Sequence, residues 1–218
     1  MIFGYAHVYI LNRRIEIIRT ALLSVYKKEG IVEFARELQK LGWSILASSG
    51  THKILAANGI FATDVASIVG EPILGHQVVT LSREIHAGLL AKDTPEDKKE
   101  LERLGIKKID LVCVDLYPLE DAIANGEPYE KVIELTDIGG PTLLRSAAKG
   151  GRIVIADPSR RKVVLDWLRA GEPNGDVFRM SLAALAERIV GDYCLTSGEY
   201  LNGRIRAETI KRTQIFLV

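Results

Sequence analysis

The chain has 218 residues, with 29 Lys and Arg against 28 Asp and Glu for a formal net charge of +1. So even a balance argues against nonspecific nucleic-acid binding, which needs a basic excess or stripe. Two cysteines, Cys113 and Cys194, are too few for a disulfide scaffold or a Cys-rich zinc site, and 47% hydrophobic with 26% charged residues is an ordinary globular composition.

No run reaches the ~18 apolar residues of a membrane span. The opening from Met1 to Leu11 is apolar, but Arg13 and Arg14 follow it rather than precede it, the wrong order for a secretory leader. A cytoplasmic protein is expected. Residues 1–18 read as an extra N-terminal segment, 19–201 as one domain and 202–218 as a C-terminal extension.

From Arg19 onward the pattern is regular. A strand is expected over 20–26 and a helix over 30–41, where Ile31, Phe34, Ala35, Leu38 and Leu41 recur at helical spacing until Gly42 stops them. A strand over 43–47 leads through Ser48-Ser49-Gly50-Thr51 into a helix over 52–58, and 61–65 is a weaker strand. A charged helix over 96–104 precedes the run IDLVCVDL at 109–116. Its near-continuous apolar character suits a parallel strand covered on both faces. A helix over 141–149, a strand over 152–156 and helices over 159–170 and 176–194 complete the chain. Residues 117–135 read as an insertion or cover. Strands alternating with helices predict βαβ units: an open, mostly parallel sheet with helices on both faces.

In such sheets ligands bind beyond the carboxyl ends of the strands. Three loops there carry unusual residues. Ser24 and Lys28 flank the end of the first strand. Ser48-Ser49-Gly50-Thr51 is either a helix cap or an anion cradle made of hydroxyls and free amides. Asp137-Ile138-Gly139-Gly140-Pro141 opens a helix, so Asp137 is either a cap or a carboxylate offered to a ligand. Lys149 lies further along that helix. Asp115 and Tyr117 end the strongest strand. None of the four His is paired at i, i+4, so no metal site is expected.

These segments together resemble a known family. Ser24 to Gly30 (SVYKKEG), Ser48 to Thr51 (SSGT), Leu116-Tyr117-Pro118 and Asp137 to Lys149 (DIGGPTLLRSAAK) occur in the order found in the inosine monophosphate (IMP) cyclohydrolase domain of the bifunctional purine enzyme. The SSGT-type loop alone is shared with methylglyoxal-synthase-like domains. The resemblance implies a methylglyoxal-synthase-like fold, a free-standing cyclohydrolase and the closure of 5-formamidoimidazole-4-carboxamide ribotide to IMP with loss of water. It implies no cofactor, a homodimer and a separate transformylase as partner. Lys149, Asp137 and Tyr117 match catalytic positions. Ser24, Tyr26, Lys27, Lys28, Ser48, Ser49, Gly50, Thr51, Val114, Asp115, Ile138 and Gly139 match substrate-binding ones.

Gln77, Val78, Val79 and Thr80 fall in a further nucleotide-binding stretch, from which this chain departs. Gln77 stands where the family has Arg, Val79 where it has Lys, and Asp115 where it has Asn. Each lost charge-assisted hydrogen bond is worth ~1.5–3 kcal/mol, unless Arg83, Lys53 or a partner subunit fills the gap. Two alternatives therefore stand beside the cyclohydrolase. One is a noncatalytic purine-nucleotide-binding module; the other is a methylglyoxal-synthase-like lyase acting on a triose phosphate.

Overall fold

A computed structural model describes residues 18–74 and 78–215. In chain order the elements are β1 (Thr20–Val25), α1 (Ile31–Lys40), β2 (Ser44–Ala47), α2 (Ser49–Ala57), β3 (Thr63–Asp64), α3 (Ala66–Val69), α4 (Arg83–Leu90) and α5 (Pro95–Leu104). There follow β4 (Leu111–Asp115), α6 (Leu119–Ala124), α7 (Tyr129–Glu134), α8 (Gly139–Lys149), β5 (Ile153–Ile155), α9 (Arg160–Arg169) and α10 (Gly175–Ile215). The strands form one sheet in the order β3-β2-β1-β4-β5, every neighbouring pair parallel.

The apolar runs become strands because both faces of this sheet are covered. Alternate residues of each strand point to opposite sides. Ala21, Leu23, Val25, Cys113 and Ile155 face α1, α2 and α9, meeting Phe34, Leu38, Leu55 and Val164. Leu22, Leu46, Val112, Val114 and Val154 face α4, α8 and α10, meeting Leu89, Leu143, Leu144 and Val190. Full burial of one such leucine contributes about 1.5–3 kcal/mol, so these two layers carry most of the fold.

Several elements differ from the sequence reading. The weak strand expected over 61–65 shrinks to Thr63 and Asp64 at the sheet edge. The helix expected from His52 begins at Ser49, inside the hydroxyl-rich loop. Residues 117–135 hold two short helices that pack Leu119, Ala122 and Val132 against Tyr193 of α10. The helix expected over 176–194 runs on to Ile215 without a break, so position 201 lies within it. Helices α3 and α4 lie where no element was expected. The segment 1–17 and Gln77 lie outside the described residues.

Strand order decides where a ligand can sit. The chain leaves β1 toward α1 on one face, and leaves β4 toward α8 on the other. Adjacent parallel strands whose connections diverge open a crevice at their carboxyl ends. Between β1 and β4 that crevice is bounded by Val25 and Asp115, which are direct partners in the sheet.

Candidate active site

Ser24 and Val114 are partners in the same register, one step before the crevice. Val114 is buried in the core, so its side chain is packing rather than ligand contact. Asp115 turns back onto the β1–α1 turn. Its two carboxylate oxygens accept the backbone N–H groups of Tyr26 at 2.5 Å and Lys27 at 2.9 Å. The carboxylate is therefore a clamp on the turn, spent on backbone rather than offered to a ligand.

The two lysines of the turn diverge. Lys28 reaches across to β2–α2: its Nζ donates to the carbonyl of Val25 and lies 3.4 Å from Thr51 Oγ1. Burial pulls its pKa down, opposed by the nearby Asp115 carboxylate. Lys27 instead lines a cleft between α1 and α9.

At the other side of the cradle, Ser48 has the extended backbone of a helix cap but makes no side-chain cap bond. The first bond of the helix runs from His52 N–H to Ser48 O at 2.8 Å. The amides of Ser49, Gly50 and Thr51 precede it and belong to the donors a helix start leaves without an intrahelical acceptor. Thr51 is fully buried, and its hydroxyl is tied to β1 by the Val25 N–H at 3.2 Å. Ser49 Oγ lies 3.2 Å from Asp64 Oδ1. Helix-start amides with Lys28 beside them form an anion cradle of the kind the macrodipole favours.

Asp137 and Tyr117 meet on the opposite side of the crevice. Asp137 precedes α8, and its Oδ1 accepts the Gly140 N–H at 2.9 Å. Burial drives its pKa up, against backbone hydrogen bonds from Gly140, Tyr117 and Gly139 that pull it down. The approach is so close that a Cβ on Gly140 would collide with this carboxylate and with Leu116. The Tyr117 phenol is likewise pushed up, first by burial and then by Asp137. Its ring packs edge-on against Tyr26, centroids 5.5 Å apart, which joins this half of the crevice to the β1–α1 turn. Thr80, itself buried, faces Gly139: a Cβ there would lie 3.1 Å from Thr80 Oγ1. Ile138 is 62% exposed at the helix start.

Other expected residues do not join this cluster. Lys149 ends α8 and is exposed. At 1.5 Å per residue, the ten steps from Gly139 put it about 15 Å along the helix. Val79, where the family has Lys, packs against the apolar layer beneath α4 and α8. Val78 is tied to Ile73 by a two-way backbone bridge. Arg83, expected as a substitute charge, pairs with Glu84 and lines a groove between α4 and α5.

One residue of the site was not foreseen. Tyr193 of α10 is buried, donates its hydroxyl hydrogen to the Leu135 carbonyl at 2.8 Å and accepts the Asp137 N–H at 2.7 Å. Burial pushes its pKa up to about 12. Its only sequence signal is that a core tyrosine needs a partner for its hydroxyl.

Among the described residues, no group of three or more His, Cys, Asp or Glu is arranged to hold a metal, and no helix is long and apolar enough to cross a membrane.

A family model described as an MGS-like domain matches residues 30–142, more than half of the chain. The chain belongs to the MGS-like domain family. It is 43% identical over 188 residues to the bifunctional purine biosynthesis protein PurH of Persephonella marina, and 42% identical to that of Deinococcus deserti. These alignments cover 84% and 85% of this chain but 36% of each relative, so the chain spans about a third of the length of these curated relatives. The crystal structure of ForH matches with a TM-score of 0.69 at 34% identity, covering 84% of this chain and 98% of that one.

Proposed function

We propose that this MGS-like domain is a cytoplasmic IMP cyclohydrolase. It would close the second ring of 5-formamidoimidazole-4-carboxamide ribotide with loss of water. The observation that carries this reading is the pairing of a desolvated carboxylate, Asp137, with a desolvated phenol, Tyr117, across the crevice from the Lys28–Thr51 anion cradle. The similarity to PurH supports the purine ribotide as substrate.

In this mechanism the helix-start amides of Ser49 to Thr51 and Lys28 hold the ribotide phosphate, and the base lies toward Thr80, Ile138 and Gly139. Both reacting groups belong to one molecule, so orientation supplies much of the rate. The carboxamide nitrogen is a poor nucleophile. Asp137, ionised, takes its proton as the nitrogen attacks the formyl carbon. Tyr117 donates a hydrogen bond to the formyl oxygen as negative charge develops there. The proton taken by Asp137 passes to that oxygen to give a hydroxyl; as the former formamido nitrogen forms the C=N bond and gives up its own proton, the C–O bond breaks and the hydroxyl takes the second proton and departs as water. No cofactor is needed.

Lys149 cannot reach Asp137 along its own helix. A catalytic Lys149 therefore requires a homodimer in which it serves a neighbouring copy.

Purified chain should convert the formylated ribotide to IMP, with loss in Asp137→Asn. Well-folded protein with no turnover would sink the reading. The packing of a partly buried Val79 against the core, where the family has a charge, favours one rival: a module that binds purine ribotides without turning them over. Calorimetry alongside the turnover assay separates the two.

A further inference from the structure

Tyr26 follows directly on Val25, the last residue of β1 and the sheet partner of Asp115 at the crevice. Its side chain is 45% exposed. A single exposed tyrosine is ordinary on a protein surface, but this one is held still. Its backbone N–H is bound by the Asp115 carboxylate. Further along the same turn the carbonyl of Glu29 accepts Nη1 of Arg161, a buried residue of α9, at 2.7 Å. The ring itself packs against Tyr117, centroids 5.5 Å apart and planes at 63°. An edge-on contact of this kind covers one ring face of the pair and leaves the others open. The result is an aromatic surface that is fixed in place before any ligand arrives.

Its position is equally defined. Lys28, two residues on, reaches the cradle at Thr51, with 3.4 Å between Nζ and Oγ1. Tyr117 stands against Asp137, whose charge bears on the phenol. A ligand with its phosphate in the cradle and its reacting atoms at Asp137 therefore passes Tyr26. The two walls of that passage come from opposite sides of the sheet. Tyr26 lies on the connection from β1 to α1, while Ile138 and Gly139 lie at the start of α8, which packs on the other face.

We propose that Tyr26 is the residue by which the crevice selects a flat heteroaromatic base, its ring stacking on the imidazole of the ribotide and then on the closed purine. The inference rests on the ribotide reading above and adds the specificity determinant of that site. The cradle recognises any phosphate ester; the stacked ring recognises what the ester carries. Stacking is indifferent to the pattern of donors and acceptors on the base, so imidazole and purine are both accepted. Holding the imidazole flat also orients its two substituents for attack. The carboxylate clamp of Asp115 thereby fixes an aromatic platform as well as a turn.

The probes are IMP and ribose 5-phosphate, which lacks the base, each titrated into the full chain by calorimetry. IMP should bind at least tenfold more tightly than ribose 5-phosphate. Tyr26→Ala should weaken IMP at least tenfold, the loss expected when an aromatic ring beneath a base is removed, and leave ribose 5-phosphate unchanged. Tyr26→Phe, which keeps the ring, should bind both ligands as the native chain does. The Tyr26 ring-proton resonances should move upfield with IMP and stay in place with ribose 5-phosphate. Undiminished IMP binding in Tyr26→Ala overturns the proposal, and so does a Tyr26→Phe variant as weak as Tyr26→Ala. Parallel weakening of both ligands also overturns it, by tracing the effect to the turn rather than the base. These readouts are of binding alone, so an absence of turnover leaves the proposal standing; a native chain that binds neither ligand removes the ribotide reading and this inference with it.

Discussion

The backbone N–H of Asp137 donates to the hydroxyl of Tyr193, 56 residues away on the C-terminal helix, at 2.7 Å. The carboxylate that the proposed chemistry needs is thus aimed by a residue outside every motif that suggested it. Tyr193→Phe keeps the ring in its cluster with Leu119, Ala122 and Val132 but removes both hydrogen bonds. Stability should fall by about 1–3 kcal/mol, since two backbone groups lose their partner. The kcat for ring closure should fall roughly tenfold with KM nearly unchanged. A change confined to KM would contradict a role in aiming Asp137.

Burial raises the pKa of Asp137, and both consequences follow in sign. Between the ordinary carboxyl value and the raised one, the native state holds a proton that the unfolded chain has released. Stability therefore falls as pH rises through that window. Activity moves the other way, because the base must be ionised: the acid limb of kcat/KM should lie above the usual aspartate range. Asp137→Asn should abolish turnover and flatten this part of the stability profile, as read by denaturant melts across the acid range.

Asp115 tests whether the clamp on the β1–α1 turn matters for binding. Asp115→Ala frees the amides of Tyr26 and Lys27 and should raise KM for the ribotide at least tenfold. Asp115→Asn retains a carbonyl acceptor for one of them, so a loss of only a few-fold is expected. Equal losses in the two variants would show that charge, rather than the hydrogen-bonded turn, is what counts.

Lys149 stands at the far end of α8 from Asp137. If it serves a neighbouring copy, Lys149→Ala and Asp137→Asn are each inactive alone, yet a mixture should regain about a quarter of wild-type activity through hybrid dimers. That fraction assumes random exchange of subunits in a C2 pair. A mixture as inactive as its components removes the shared-site arrangement.

Much of this chain was legible because its local and global preferences agree. A strand buried on both faces must be apolar throughout, so 109–116 announced a central parallel strand. The hydroxyl-rich loop was equally legible as the start of a helix after a strand, because such a start needs few residues to specify. Asp137 and Tyr117 were found through the local segments that carry them, and the fold makes them neighbours.

What tertiary structure alone decided concerns separation and commitment. The spacing from Asp137 to Lys149 is read correctly as helical, yet a helix rises 1.5 Å per residue, and that rise parts two residues one motif had joined. Asp115 looked like a ligand until its oxygens were found on two amides. Tyr193 and Arg161 carried no local pattern at all. Their partners, Asp137 and Glu29, are 56 and 132 residues distant, and a contact across such a gap exists only once the sheet has brought β1, β4 and β5 side by side.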